Sequence, residues 1–93
     1  MTARLHREGL REVLIKLFVK DDCPKCPAAK HACEGLDGVE VFDVTDMDGL
    51  AEASFHSVLS TPTVLVLDSE GLEIAAWRGE APERTALRST VAQ

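Results

Sequence analysis

Apolar side chains in this chain gather in short runs separated by polar breaks, and the lengths of the runs point to the elements. Val13–Val19 reads V-L-I-K-L-F-V, apolar at every position but one. A run this short, apolar on both faces, predicts a central strand covered from both sides. Lys16 is the exception. A lysine in mid-strand must run its stem to solvent or meet a carboxylate, and its head group is expected near the sheet surface. Val39–Val44 (V-E-V-F-D-V) predicts a second strand, and Val64–Leu67 a third, also central. Leu72–Arg78 alternates, with Leu72, Ile74 and Ala76 facing one way and Glu73, Ala75 and Trp77 the other. That alternation predicts an edge strand.

The stretches between the strands carry helix and turn signals. A first helix is expected from Cys23 or Pro24 to about Glu34, with Gly35 as its stop. Pro24 is tolerated there because a first turn has no use for the missing N–H. Pro27 stands at the limit of that window as a potential bend. Thr45 to Asp48 supplies capping side chains for a second helix, Leu50–Leu59. Its apolar stripe is read as Leu50, Ser54 or Phe55, Val58 and Leu59, leaving His56 exposed. Ser60-Thr61-Pro62-Thr63 breaks the pattern, and Asp68-Ser69-Glu70-Gly71 is a hairpin turn. Gly79 to Pro82 is a loop. Pro82 fits the first position of a closing helix to about Val91, with Leu87 and Val91 inward. The element order is thus β-α-β-α-β-β-α. The first two strands pair in parallel through a right-handed crossover, and the last two form an antiparallel hairpin. The fold class is α/β, a three-layer α/β/α sandwich on a four-stranded mixed sheet. It occupies residues 13–93. Residues 1–12 are read as an N-terminal extension with a short, loosely docked helix at most around Leu5 and Leu10, and His6 solvated.

Composition narrows the function classes. The chain has 93 residues, 45% of them apolar, which supports one folded core and argues against disorder. Acidic residues outnumber basic ones 16 to 10, for a formal charge of −6. With no Lys/Arg cluster, nucleic-acid binding is excluded as an expectation, because phosphate binding draws on clustered cations. No apolar run approaches the roughly 18–20 residues that span a membrane. Met1 to Glu12 lacks the apolar core of a signal peptide, so a cytoplasmic, reducing location is expected. Three cysteines are too few and too unevenly placed for a disulfide framework. A C-x-x-C in such a chain reads as redox or metal chemistry.

That pair is Cys23-Pro24-Lys25-Cys26, at the junction of the first strand and the first helix. A helix N-terminus favours an anion, so the Cys23 thiol is expected below the free value of about 8.5. Lys20 and Lys25 act in the same direction, and Asp21 and Asp22 oppose them. The spacing then suggests a sequence of events. Cys23, at the exposed end, attacks a substrate disulfide as thiolate, and Cys26, one turn inward, resolves the mixed disulfide. A separate reductant must regenerate the dithiol. Cys33 lies seven residues after Cys26, about 10.5 Å along a helix. A disulfide needs Cα atoms within about 7 Å, so Cys33 is expected to be a packed core residue. The rival reading is a metal- or partner-binding module without turnover, with Cys23, Cys26, His31 and Cys33 as ligands. It lacks a second ligand pair at zinc-site spacing, so no metal is expected and His31 is read as a surface or helix-end residue.

Strand, C-P-K-C, helix, strand, helix, Thr61-Pro62, hairpin and helix together resemble the thioredoxin/glutaredoxin superfamily over residues 12–92. The short length, C-P-x-C and Lys20 resemble glutaredoxins and small glutaredoxin-like redoxins. Arg78-Gly79-Glu80-Ala81 has one glycine where glutaredoxins carry a pair that holds glutathione, and is more similar to thioredoxin. Asp22 stands where thioredoxin has tryptophan, Leu17 stands where it has a buried acid, and Trp77 is on the wrong strand to substitute. Without that acid, water or Lys25 would have to assist Cys26. The resemblance implies a cis Pro62, with Thr61 offering main-chain hydrogen bonds to a client. It also implies a thiol-disulfide oxidoreductase with Cys23 and Cys26 catalytic, and Thr61, Pro62, Lys20, Pro24 and Lys25 along the substrate path. No cofactor beyond the Cys23–Cys26 disulfide is expected. The expected partners are disulfide-containing client proteins and a thioredoxin-reductase-like flavoenzyme as electron donor, with glutathione disfavoured, acting on a monomer.

Overall fold

The computed structural model describes residues 12–92. The expectations for the N-terminal extension, including the short helix and His6, lie outside the described residues, Glu12 apart. The strands are β1 (Leu14–Val19), β2 (Val39–Asp43), β3 (Thr63–Leu67) and β4 (Glu73–Arg78), and the helices are α1 (Cys26–Cys33), α2 (Met47–Phe55) and α3 (Arg84–Ala92). They alternate in the predicted order. The sheet runs β2-β1-β3-β4, so the two most apolar strands are central. β1 pairs with β2 in parallel and with β3 antiparallel, and β3 pairs with β4 antiparallel.

Strand alternation divides the core into two. Ile15, Leu17 and Val19 of β1 and Val64 and Val66 of β3 face Ala29, Ala32 and Cys33 of α1 and Leu87 of α3. Phe18, Leu65 and Leu67 face the other way, onto Ala53 and Val58. The result is a three-layer sandwich, α1 and α3 on one face and α2 on the other.

The structure corrects several local expectations. α1 begins at Cys26 rather than at Cys23 or Pro24. Pro24 and Lys25 form a turn in which the Cys26 N–H donates to the Cys23 carbonyl at 3.2 Å, and Lys25 is the residue that caps the helix. Pro27 therefore occupies the first turn, where its missing N–H costs nothing. α3 begins at Arg84, two residues beyond the buried Pro82. In β4 a register shift opposite Val66 and Leu67 breaks the strict alternation, and Ile74 and Ala75 both pack on the α1/α3 core.

The largest correction concerns α2, which runs Met47–Phe55 rather than Leu50–Leu59. Ser57 adopts φ 58°, a left-handed conformation that ends the helix. The inner face is Gly49, Glu52, Ala53 and His56, not the large apolar residues. A Cβ on Gly49 would lie 1.9 Å from the Asp43 carbonyl oxygen, so the helix approaches β2 too closely for anything larger. Leu50, Phe55 and Leu59 consequently remain 56%, 80% and 96% exposed.

Candidate active site

Four connections leave one end of the sheet together. Phe18, near the end of β1, lies opposite both Phe42 of β2 and Thr63 of β3. The Val44 N–H donates to the Val19 carbonyl at 3.0 Å, and the Gly79 N–H donates to the Pro62 carbonyl at 2.8 Å. Residues 20–25, 44–46, 57–62 and 79–83 thus emerge on the same side of the molecule. The first of these carries the cysteine pair. Cys23 and Cys26 form a disulfide with sulfurs 2.16 Å and Cα atoms 5.4 Å apart, within bridging range. Cys26 is buried in the α1/α3 core, and Cys23 is half-buried against its rim. The pair is asymmetric because the turn at Pro24 and Lys25 lifts Cys23 out of the helix while Cys26 starts it.

The other predicted site residues divide into two groups. Thr61 is half-buried, Pro62 is buried, and the peptide bond between them is cis. Thr63 Oγ1 donates to the Ser60 carbonyl at 2.9 Å and fixes the turn before β3. Lys20 and Thr61 share the wall of a cavity of about 180 Å³, together with Val44, Leu50 and Leu59. Pro24 and Lys25 are exposed and do not line it. Gly79, expected in a loop and as the single glycine where glutaredoxins carry a pair, has a structural part in this turn. It contributes the hydrogen bond to Pro62, and a Cβ there would meet Ser60 Oγ at 3.0 Å.

Leu17, at the position where an acid was sought, is buried in the same cluster as Cys26, among aliphatic side chains. Cys33 is a free, buried thiol, and its burial pushes its pKa up. It is a packing residue. His31 is exposed, with Nδ1 3.3 Å from Glu34 Oε1. Among the described residues no group of three or more His, Cys, Asp or Glu side chains converges as a metal site, and no helix is long and apolar enough to cross a membrane.

Sequence reading missed a cluster on the opposite face. The Lys16 ammonium donates to Glu52 Oε2, and His56 Nε2 lies 3.3 Å from the same oxygen and 3.4 Å from Lys16 Nζ. The side chains of Lys16 and His56 are only 14% and 11% exposed. Lys16 has thus met a carboxylate instead of reaching the sheet surface, and His56 is enclosed rather than solvated. The Lys16 ammonium, outweighing desolvation, holds the Glu52 carboxyl below the usual carboxylate range. The signal was present as Gly49, Glu52, Ala53 and His56 at helical spacing, but two small and two polar residues do not read as an inward face.

No family model matches the chain. A curated thioredoxin from Methanocaldococcus jannaschii is 32% identical over 61% of this chain and 73% of its own length. Among solved structures, a mutant thioredoxin from Halobacterium salinarum superposes with a TM-score of 0.66 at 25% identity, over 85% of this chain and 71% of that one. A thioredoxin-fold protein from Helicobacter pylori superposes with a TM-score of 0.62 at 16% identity, over 76% of this chain, and supports the fold alone. This chain spans 62% of the length of that protein. The sheet order, the cysteine pair at the end of β1 and the identity to the archaeal protein agree, and the chain belongs to the thioredoxin family.

Proposed function

We propose that the protein is a thiol-disulfide oxidoreductase that reduces disulfides in client proteins. The observation that carries this reading is the asymmetry of the pair, with Cys23 at the rim and Cys26 buried behind it at disulfide distance. Reduced Cys23 attacks one sulfur of the client disulfide as thiolate. The client S–S bond breaks, a Cys23–client disulfide forms, and the leaving client sulfur takes up a proton. Cys26 then attacks Cys23, the mixed disulfide breaks, and the second client sulfur leaves with the proton given up by Cys26. Two electrons and two protons have moved to the client, and the Cys23–Cys26 disulfide remains. Lys20 and Lys25, close in sequence to Cys23, favour its thiolate, and Asp21 and Asp22 oppose them. Thr61 offers its backbone to the client chain beside the thiols, and Pro24 and Pro62 shape the surface it meets.

Regeneration needs a two-electron donor. The single glycine at Gly79 favours a thioredoxin-reductase-like flavoenzyme over glutathione, and the cytoplasm is the setting in which a monomeric dithiol acts as a reductant. The test is reduction of insulin, run once with NADPH and thioredoxin reductase and once with glutathione, and with chemically reduced protein as a donor-independent control. Turnover with the reductase and slower turnover with glutathione are expected. No insulin reduction even by the chemically reduced protein would overturn the oxidoreductase reading.

A further inference from the structure

The connection that presents Thr61 is anchored at its ends and exposed in its middle. Ser57, Leu59 and Ser60 are exposed, Leu59 at 96%. Only Val58 enters the core, where its N–H donates to the Ala53 carbonyl at 2.8 Å. The far end is pinned by Thr63 Oγ1 to the Ser60 carbonyl and by the Gly79 N–H to the Pro62 carbonyl. The near end begins at His56, and His56 is gripped from two sides. Its ring faces Glu52 and Lys16 and packs edge-on against Phe18, centroids 6.3 Å apart, and Phe55, 4.9 Å apart. Its carbonyl accepts from Arg78 Nη2 at 3.2 Å, and the Arg78 guanidinium is held by both oxygens of Glu73 at 2.8 and 3.2 Å.

This grip ties the connection to three elements at once. Lys16 belongs to β1, the strand that leads into Cys23. Glu52 belongs to α2. Arg78 closes β4 immediately before Gly79. A half-enclosed ion pair is a poor choice for stability alone, because well-packed apolar side chains of the same volume do as well or better. Charge-assisted hydrogen bonds supply direction, fixing the orientation of the helix end in a way that dispersion contacts do not.

We propose that Lys16, Glu52, His56 and Arg78 act together as a positioning clamp for residues 57–62, setting how tightly a protein client is held without touching the thiols. The proposal rests on the oxidoreductase reading above. A client that hydrogen-bonds the Thr61 backbone feels the position of this connection. A small disulfide that meets only the Cys23 sulfur does not. The clamp therefore acts on the half-saturating concentration of a protein substrate and leaves the small-molecule reaction alone.

The experiment uses the dithiothreitol-reduced, desalted protein in single-turnover reactions with insulin and with hydroxyethyl disulfide. Wild type is compared with Glu52→Gln, which keeps shape and removes charge, and with Arg78→Ala, which releases the His56 carbonyl from the exposed side. For each variant the clamp predicts a rise of about five- to tenfold in the half-saturating insulin concentration, with the limiting rate kept within about twofold. The hydroxyethyl disulfide rate should stay at the wild-type value. Lys16→Arg, which retains the cation, should bind insulin more tightly than Lys16→Met. An insulin curve equal to wild type overturns the clamp, and so does an equal loss with both substrates, which marks a structural role only. Should Glu52→Gln fail to fold by circular dichroism, Arg78→Ala decides alone. Wild-type protein inactive on both disulfides overturns the oxidoreductase reading and the clamp with it. Wild-type activity with unchanged variants overturns the clamp alone.

Discussion

At the residue scale the two paired cysteines differ from the third in what surrounds them. Cys23 is at the rim, Cys26 is buried but paired with it, and Cys33 is a free thiol enclosed by α1, α3 and the sheet. Cys23→Ser should therefore abolish insulin reduction, whereas Cys33→Ala should leave the rate within about twofold while lowering thermal stability. The assay and a melting curve on the same preparations check both halves. Gly79 is a second informative position. It holds φ 80°, and a Cβ would come within 3.0 Å of Ser60 Oγ. Gly79→Ala should cost about 1–2 kcal/mol in denaturant unfolding, because alanine lacks the freedom of glycine at positive φ. The cysteine pair was legible from sequence because C-x-x-C is a local signature, complete within four residues, whereas the cis Thr61-Pro62 bond was legible only through the resemblance, since a lone X–Pro bond is usually trans. The partners of Lys16 were not, because Glu52 lies 36 positions away and no local pattern announces that pairing.

At the element scale α2 decides how much of the fold is read correctly. β1 and β3 were legible because, Lys16 and Thr63 apart, every residue in them is apolar, the pattern of a central strand. α2 misled because Leu50, Phe55 and Leu59 outweigh Gly49 and Ala53 in any hydrophobic pattern, yet close approach to β2 admits only the small residues. Gly49→Ala tests this. Alanine normally stabilises a helix interior by about 1 kcal/mol over glycine. Here its Cβ would meet the Asp43 carbonyl at 1.9 Å, so the substitution should instead destabilise by about 1–3 kcal/mol. A rise in unfolding free energy would show that the helix does not lie where described. Acid stability follows from the same region. Lys16 holds Glu52 low, Thr45 holds Asp43 low and Arg78 holds Glu73 low, each chiefly through a hydrogen bond to the carboxylate. A carboxyl lowered on folding adds stability that is complete above its unfolded value of about 4 and disappears as pH falls through the lowered one. Unfolding free energy should hold steady down to about pH 5 and fall below about pH 4. Glu52→Gln should flatten that fall.

At the scale of the whole molecule, two chemistries occupy opposite faces of one sheet. The α1/α3 face carries the thiols in an aliphatic core, with Leu17 beside Cys26. The α2 face carries the charged cluster that grips the start of the 57–62 connection. β1 links them, since successive residues of one strand, Lys16 and Leu17, serve the two sides. The architecture was legible because element order and parallel crossover leave few topologies. The division of labour between faces was not, because it depends on which way α2 is turned. The central claim is that Cys23 attacks and Cys26 resolves. Its most direct measurement is intact-mass analysis of reduced Cys26→Ser and Cys23→Ser proteins after exposure to a disulfide peptide. Cys26→Ser should accumulate one peptide, attached at Cys23 and released by dithiothreitol, while Cys23→Ser should accumulate none. An adduct on Cys26 or Cys33, or equal labelling of the two variants, would contradict the assignment.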